Sequence, residues 1–282
     1  MIRFFRYHAI GNDYIVIRER ALEPDGLAPA VVRRICHRNF GVGSDGILLH
    51  VRDRENRFVL RIFNPDGSES EKSGNGLRIF ARYLWDRRLV GNEPFTVMTP
   101  GGDVTCKVMD DGRMATVDMG RLTFDSARIP VAGPPREVLG ERFTIDGTEL
   151  EYSCASIGNP HCVLLRERLS EDETRRFGPL IEVEPRFPNR TNVQFMQVLD
   201  RNNIAIQIWE RGAGFTLASG SSSSAAAGVA RRLGLCDEDI VVHMPGGKIR
   251  IEIGDAFAVR MTGPVTHIAD GEIDAECLVG AD

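Results

Sequence analysis

Laid on itself at a shift of about 146 residues, this chain repeats a series of short motifs in the same order. Ile10-Gly11-Asn12 returns as Ile157-Gly158-Asn159, and each leads into an apolar run, residues 14–17 and 161–165, that reads as a strand. Residues 40–45 align with 187–192, and Arg61-Ile62-Phe63-Asn64 with Gln207-Ile208-Trp209-Glu210. Ser73-Gly74 returns as Ser219-Gly220. Thr99-Pro100-Gly101-Gly102 returns as Met244-Pro245-Gly246-Gly247, each before alternating residues typical of a half-buried strand. One tripeptide match means little, but an ordered set at nearly one offset means a duplicated domain, so the two halves must share a fold.

Within each half the reading is strands, a Gly-rich turn, a helix, then more strands. Helices are expected at residues 76–84 and 222–233, the second rich in Ala and so helix-prone. Strands dominate and alternate apolar with polar residues. The expected class is therefore α+β, with each half wrapping a mostly antiparallel sheet around a central helix. Gly120, Pro130 and Gly133-Pro134-Pro135 supply chain breakers and put the boundary near residues 120–130.

A length of 282 residues also favours two domains, being near the size at which single cores stop growing. Hydrophobic residues make up 42% and charged residues 27%, so a packed core can form and neither disorder nor a fibrous repeat fits. With a net charge of −5 and no cluster of Lys and Arg with interleaved aromatics, no nucleic-acid partner is expected. Arg3, Arg6, His8, Asn12 and Asp13 interrupt the apolar residues near the start, unlike a signal peptide. No run reaches the roughly 18 apolar residues of a membrane helix. A cytoplasmic protein without a membrane partner is expected. Cys36, Cys106, Cys154, Cys162, Cys236 and Cys277 show no CxxC spacing, which argues for buried small apolar residues over a zinc site or redox pair.

Each half presents Ser-Gly immediately before its helix, where backbone N–H groups can hold an anion. If the halves face each other, a carboxylate held at both helix starts has its neighbouring carbon flanked by Ser73 and Ser219. Proton exchange on opposite faces of one carbon, as in racemisation or epimerisation, needs that arrangement. The plainer reading is that both serines are helix N-caps, worth about 1 kcal/mol each and needing no catalysis.

Gly11-Asn12-Asp13, Asn64-Pro65-Asp66-Gly67-Ser68-Glu69, Ser73-Gly74-Asn75-Gly76, Gly158-Asn159-Pro160-His161 and Glu210-Arg211-Gly212-Ala213-Gly214 resemble diaminopimelate epimerases over nearly the whole chain. Gly178-Pro179, Asn192, Met261-Thr262-Gly263 and Thr266-His267 fall in the same order. The resemblance implies two pseudo-symmetric lobes with barrel-like sheets, at residues 1–122, joined by 264–282, and at 123–263. It also implies amino-acid epimerisation (LL to meso diaminopimelate, or a related amino acid) with no pyridoxal phosphate, other cofactor or metal, on a small amino-acid substrate. A homodimer is compatible with it. The family's two catalytic cysteines correspond to Ser73 and Ser219. By the same resemblance Asn64 and Glu210 receive the substrate ammonium, and the N–H groups of Gly74, Asn75, Gly220 and Ser221 cradle its carboxylate. Asn12, Asn159, Asn192 and Arg211 hold the distal amino-acid end, Arg211 through a bidentate guanidinium grip. His161 carries no assigned role.

Further departures surround Ser219. Phe215 stands where the family usually has Glu, and Ser222 and Ser223 replace a Gly and an Ala. Such neighbours point to a naturally diverged branch. A thiol can be lowered into the neutral range at a helix N-terminus, but an alcohol starts far higher and needs a partnering base. Glu69, Glu71, Lys72 and Glu210 are the nearest candidates, with Lys72 the most suggestive if desolvated and otherwise an exposed lysine. Three readings stay open: the epimerase, an isomerase shifting a proton on a more acidic substrate, and a non-catalytic amino-acid-binding protein.

Overall fold

Strand β1 (Ile2–Ala9) buries Phe5, Tyr7 and Ala9 and leaves Arg6 and His8 partly exposed, the two-residue period of a sheet with one wet face. The chain reverses at Ile10-Gly11, both with positive φ, into β2 (Asn12–Arg18), which runs antiparallel to β1. After helix α1 (Pro29–Cys36), β3 (Ile47–Arg54) joins β2 in parallel, and β4 (Arg57–Phe63) and the short β5 (Glu69–Ser70) follow antiparallel. Helix α2 (Gly74–Asp86) then leads to β6 (Phe95–Thr99), parallel to β4, with β7 (Gly102–Met109) and β8 (Met114–Arg121) antiparallel beyond it.

The same order and pairings recur in the second half, which opens with an extra hairpin, β9 (Glu141–Ile145) against β10 (Thr148–Ser156). Strand β11 (Pro160–Leu165) is antiparallel to β10, and after α3 (Glu171–Glu182) strand β12 (Asn192–Asp200) is parallel to β11. Next come β13 (Asn203–Glu210), the short β14 (Gly214–Thr216) and helix α4 (Gly220–Arg232). Strand β15 (Asp239–Met244) is parallel to β13, and β16 (Gly247–Ile253) and β17 (Ala258–Pro264) complete the set. Finally β18 (Thr266–Ile273) returns to pair with β1.

This computed structural model describes residues 1–22, 26–54 and 57–278. Two compact units account for the chain, Met1–Asp118 with Gly263–Asp282, and Met119–Thr262. In each, one helix is surrounded by strands. Helix α2 buries Leu77, Arg78, Ile79, Phe80, Ala81, Tyr83 and Leu84 completely and lies against β1, β2 and β7. Helix α4 exposes almost nothing up to Ala230 and lies against β10, β11, β12, β13, β15 and β16. A helix buried all round by a sheet is the mostly antiparallel α+β architecture expected from the repeat. Both helices begin two residues before the expected starts, at Gly74 and Gly220.

The Gly/Pro-rich stretch after β8 belongs to the second unit, whose core takes in Ile129, Val131 and Val138. Five of the cysteines are buried, Cys277 is partly so, and all six are free, in keeping with their reading as small apolar residues. No helix among the described residues is long and apolar enough to cross a membrane.

Candidate functional site

In the first unit Ser73 caps α2, its Oγ accepting from the N–H of Gly76 at 3.1 Å. One open donor of the helix's first turn is satisfied in this way. The hydroxyl of Tyr14, on β2, stands 3.5 Å from the same oxygen. Behind the cap runs a chain of side chains. Fully buried Arg78 donates to Asn75 Oδ1 at 2.8 Å, Asn75 Nδ2 to Asn12 Oδ1 at 2.9 Å, and Asn12 Nδ2 to Asp45 Oδ2 at 3.0 Å. Arg38 then joins Asp45 to Asp13, at 2.6 and 2.9 Å. Asn64 makes a separate, local contact: its Nδ2 donates to Ser68 Oγ at 3.0 Å, and that hydroxyl donates to Asp66 Oδ1 at 2.6 Å.

The second unit repeats the cap with a different supporting set. Ser219 is buried, and its Oγ accepts from the N–H of Ser222 at 3.4 Å and lies 3.5 Å from Ser221 Oγ. Asn159 Nδ2 donates to Ser221 Oγ at 3.4 Å, and its Oδ1 is 3.0 Å from His161 Nε2. The three serines that follow are fully buried. Ser222 Oγ accepts from Gln194 at 3.0 Å, while Ser223 and Ser224 donate back to the carbonyls of Ser219 and Gly220, each at 2.8 Å. Glu210 ends β13, and the turn after it closes through the Ala213 N–H on the Glu210 carbonyl at 3.1 Å. Gly212 sits third in that turn with φ of 80°, a conformation that favours glycine. Arg211 is exposed. Its backbone N–H donates to Asn192 Oδ1 at 3.0 Å and its guanidinium to the Asn189 carbonyl at 2.9 Å.

Thus Ser73, Asn75 and Asn12 gather around one helix start, and Ser219, Ser221 and Asn159 around the other. Asn192 and Arg211 form a third group, and Asn64 pairs with Ser68 instead of joining the Asn12 chain. The N–H groups of Gly74, Asn75, Gly220 and Ser221 lie in the first helical turns, where no intrahelical carbonyl is available to them. Four asparagines, Asn12, Asn75, Asn159 and Asn192, already use both ends of their amides within the protein. An amide has a second N–H and a second lone pair, so each can still meet a ligand while being held in place.

Burial pushes the Arg78 guanidinium down to about 9. Burial raises the Asp13 carboxyl, but Arg38 and Arg6 outweigh it and hold the group below the usual carboxylate range. His161 is pushed down to about 3 by burial, with Gln194 opposing and the charge of Arg211 adding to the fall, so its ring is neutral. Of the candidate bases, Glu69 is tied to Arg61 by two bonds of 2.8 Å, which lower its pKa. Lys72 is half-buried, which departs from the alternative of an exposed lysine. Desolvation lowers its pKa, opposed by Cys106 and Asp118. Phe215 lies beneath the Arg175 guanidinium, 4.3 Å from ring centre to Cζ.

Sequence reasoning passed over Tyr14, Asp45, Arg78, Glu182 and Gln194. Asp45 carried a signal, since the repeat aligns it with Asn192. Arg78 lies one helical turn from Asn75, whereas Tyr14, Glu182 and Gln194 are joined to the site by contacts that no local motif encodes.

The family model described as diaminopimelate epimerase matches residues 4–124 and 153–268. A protein of Nostoc sp. named diaminopimelate epimerase 2 is 55% identical over 98% of this chain and 96% of its own length. The diaminopimelate epimerase of Moorella thermoacetica is 38% identical over 96% of this chain and 99% of its own. Among solved structures, a hydroxyproline epimerase from Agrobacterium vitis matches with a TM-score of 0.71 at 13% identity, covering 96% of this chain and 90% of that one. That last likeness is one of fold.

Proposed function

The chain belongs to the diaminopimelate epimerase family, and from that premise we propose that it is a cofactor-independent amino-acid epimerase inverting the α-carbon of diaminopimelate, LL to meso, or of a related amino acid. The observation that carries the reading is the repeated device at residues 73 and 219: a serine hydroxyl at the mouth of a buried helix, beside first-turn N–H groups and an anchored asparagine. In this reading the N–H groups of Gly74, Asn75, Gly220 and Ser221 hold the substrate carboxylate, whose negative charge suits a helix N-terminus. Asn64 and Glu210 take its ammonium. Arg211 grips the distal carboxylate, with Asn12, Asn159 and Asn192 around the distal end. One hydroxyl accepts the α-proton while the other delivers a proton to the opposite face. A cytoplasmic location and homodimeric assembly belong to the same proposal.

A second reading has its own support. Both hydroxyls are engaged as N-caps, a sufficient reason for serine at these positions. A protein that binds an amino acid without turning it over would keep the same anchors. Incubation of the protein with a panel of amino acids in deuterium oxide separates the two, because α-deuteration reports proton abstraction whatever the product. Label appearing in LL-diaminopimelate or a close relative supports the epimerase. Tight binding with no label after days at high protein concentration overturns it in favour of binding.

A further inference from the structure

Glu182, the last residue of α3, is buried to 5% exposure, yet it is an acid at a helix C-terminus, where the helix dipole disfavours negative charge. Its carboxylate is saturated with donors. Oε2 accepts from the indole N–H of Trp209 at 2.7 Å, Oε1 accepts from the backbone N–H of Gly212 at 2.8 Å, and Arg190 pairs with it from the following loop. Trp209 and Gly212 flank Glu210 and Arg211 on either side. One carboxylate therefore grips both ends of the segment that carries the two recognition side chains.

The mount extends along α3 and its loop. Gly178 lies so close to Trp209 that a Cβ there would stand 2.6 Å from the indole Cγ, so the ring is pressed against the helix backbone. The Asn189 carbonyl and Asn192 Oδ1 hold the guanidinium and the N–H of Arg211. The matching turn of the first unit is held from α1, by the Arg33 guanidinium donating to the Asp66 carbonyl at 3.2 Å. There Asp66 Oδ1 accepts from the N–H and hydroxyl of Ser68, two residues on.

We propose that Glu182 is a positioning residue for substrate recognition, fixing the Glu210–Arg211 turn by bridging the Trp209 indole and the Gly212 amide. The inference deepens the proposed function and rests on it for the roles of Glu210 and Arg211. A buried carboxylate with two oxygens accepts from both flanks at once. A carboxamide of the same shape accepts on one side only and turns its own donors against the other. Glu182→Gln thus releases one flank without opening a cavity.

Two measurements test it. In ¹H–¹⁵N spectra of Glu182→Gln, the indole signal of Trp209 and the amide signals of Arg211 and Gly212 shift and report faster motion, while the Trp85 indole signal stays in place. Unchanged signals at residues 209–212 overturn the proposal whatever the protein binds. Calorimetry with LL-diaminopimelate then shows affinity weakened by about tenfold, the loss expected when a charge-assisted contact is misplaced. In an Arg211→Ala background the same substitution costs clearly less than in the parent, because the part of its effect that passes through Arg211 is already gone and only the part through Glu210 remains. Equal losses in both backgrounds mean a general structural role and also overturn it. If the parent binds no diaminopimelate isomer, the functional reading fails, and the spectra alone decide whether Glu182 fixes the turn.

Discussion

A hydroxyl and a thiol of nearly the same size differ most in the cost of losing a proton, and Ser73 and Ser219 have to be weighed on that scale. One pKa unit is about 1.4 kcal/mol, and a helix N-terminus contributes roughly 0.3 to 2 kcal/mol, too little to make an alkoxide. The pKa of Lys72 is lowered by desolvation, which moves it further from the basicity needed to take the proton of an alcohol. Glu69 is bound to Arg61, and the Tyr14 hydroxyl stands 3.5 Å from that of Ser73. Slow turnover of LL-diaminopimelate by the parent is therefore expected. The double variant Ser73→Cys with Ser219→Cys should exchange the α-proton faster by about tenfold or more, since a thiolate is far cheaper to form at neutral pH. Mass spectrometry of substrate recovered from deuterium oxide measures both. A parent rate on the order of 10 per second would show that the handicap of serine is overstated.

At the scale of elements, the helices with short-range signals are the ones legible in the sequence. Ser-Gly before each apolar or Ala-rich run marked α2 and α4 to within two residues. Helix α3 passed unread although Ser170 and Glu173 form an N-cap signature, with Ser170 Oγ accepting from the Glu173 N–H at 3.2 Å. Gly178-Pro179, inside the helix, looks like a chain breaker, and only the packing against Trp209 explains the glycine. Glu182 was out of reach for the same reason: its partners on the Trp209–Gly212 segment lie 27 and 30 residues away and share no motif with it. Gly178→Ala tests the α3–β13 contact. Alanine gains about 1 kcal/mol in helix propensity, but its Cβ would sit 2.6 to 2.8 Å from Trp209 Cγ, Cβ and Cδ2. Those atoms lie at the root of a ring whose far end is tied to Glu182, so it cannot swing aside. Overpacking at about 1 to 3 kcal/mol should win, leaving a net loss of stability in urea unfolding. A more stable variant would mean that the ring yields.

Taken over the whole molecule, the duplication read from sequence is the same succession of strand pairings written twice. What the sequence could not convey is how the two copies diverged in polarity. Behind Ser73 lies a charged chain from Arg78 to Asp13, whereas behind Ser219 lies a neutral one of Asn159, His161 and Gln194. The difference is testable through pH. His161 is fully buried with its pKa pushed down to about 3, against an unfolded value near 6.5. The unfolded chain therefore binds a proton that the folded chain refuses, and stability is present in full above about pH 6.5 and falls as pH drops toward 3. For one proton the slope approaches 1.4 kcal/mol per pH unit. Asp13 and Glu69 act lower down. Their folded pKa values are depressed, so their contributions hold above about pH 4 and disappear as acid protonates them. Between pH 7 and 5 His243, whose pKa burial also lowers, adds a slope of the same sign, so the share of His161 is read from the difference between the parent and its variant. The parent should lose stability steadily across that window, and His161→Gln, which cannot take up the proton, should show a flatter profile. A parent profile that is flat from pH 7 to 5 would mean that His161 is protonated in the fold and paired, and that the second helix start is less neutral than its side chains indicate.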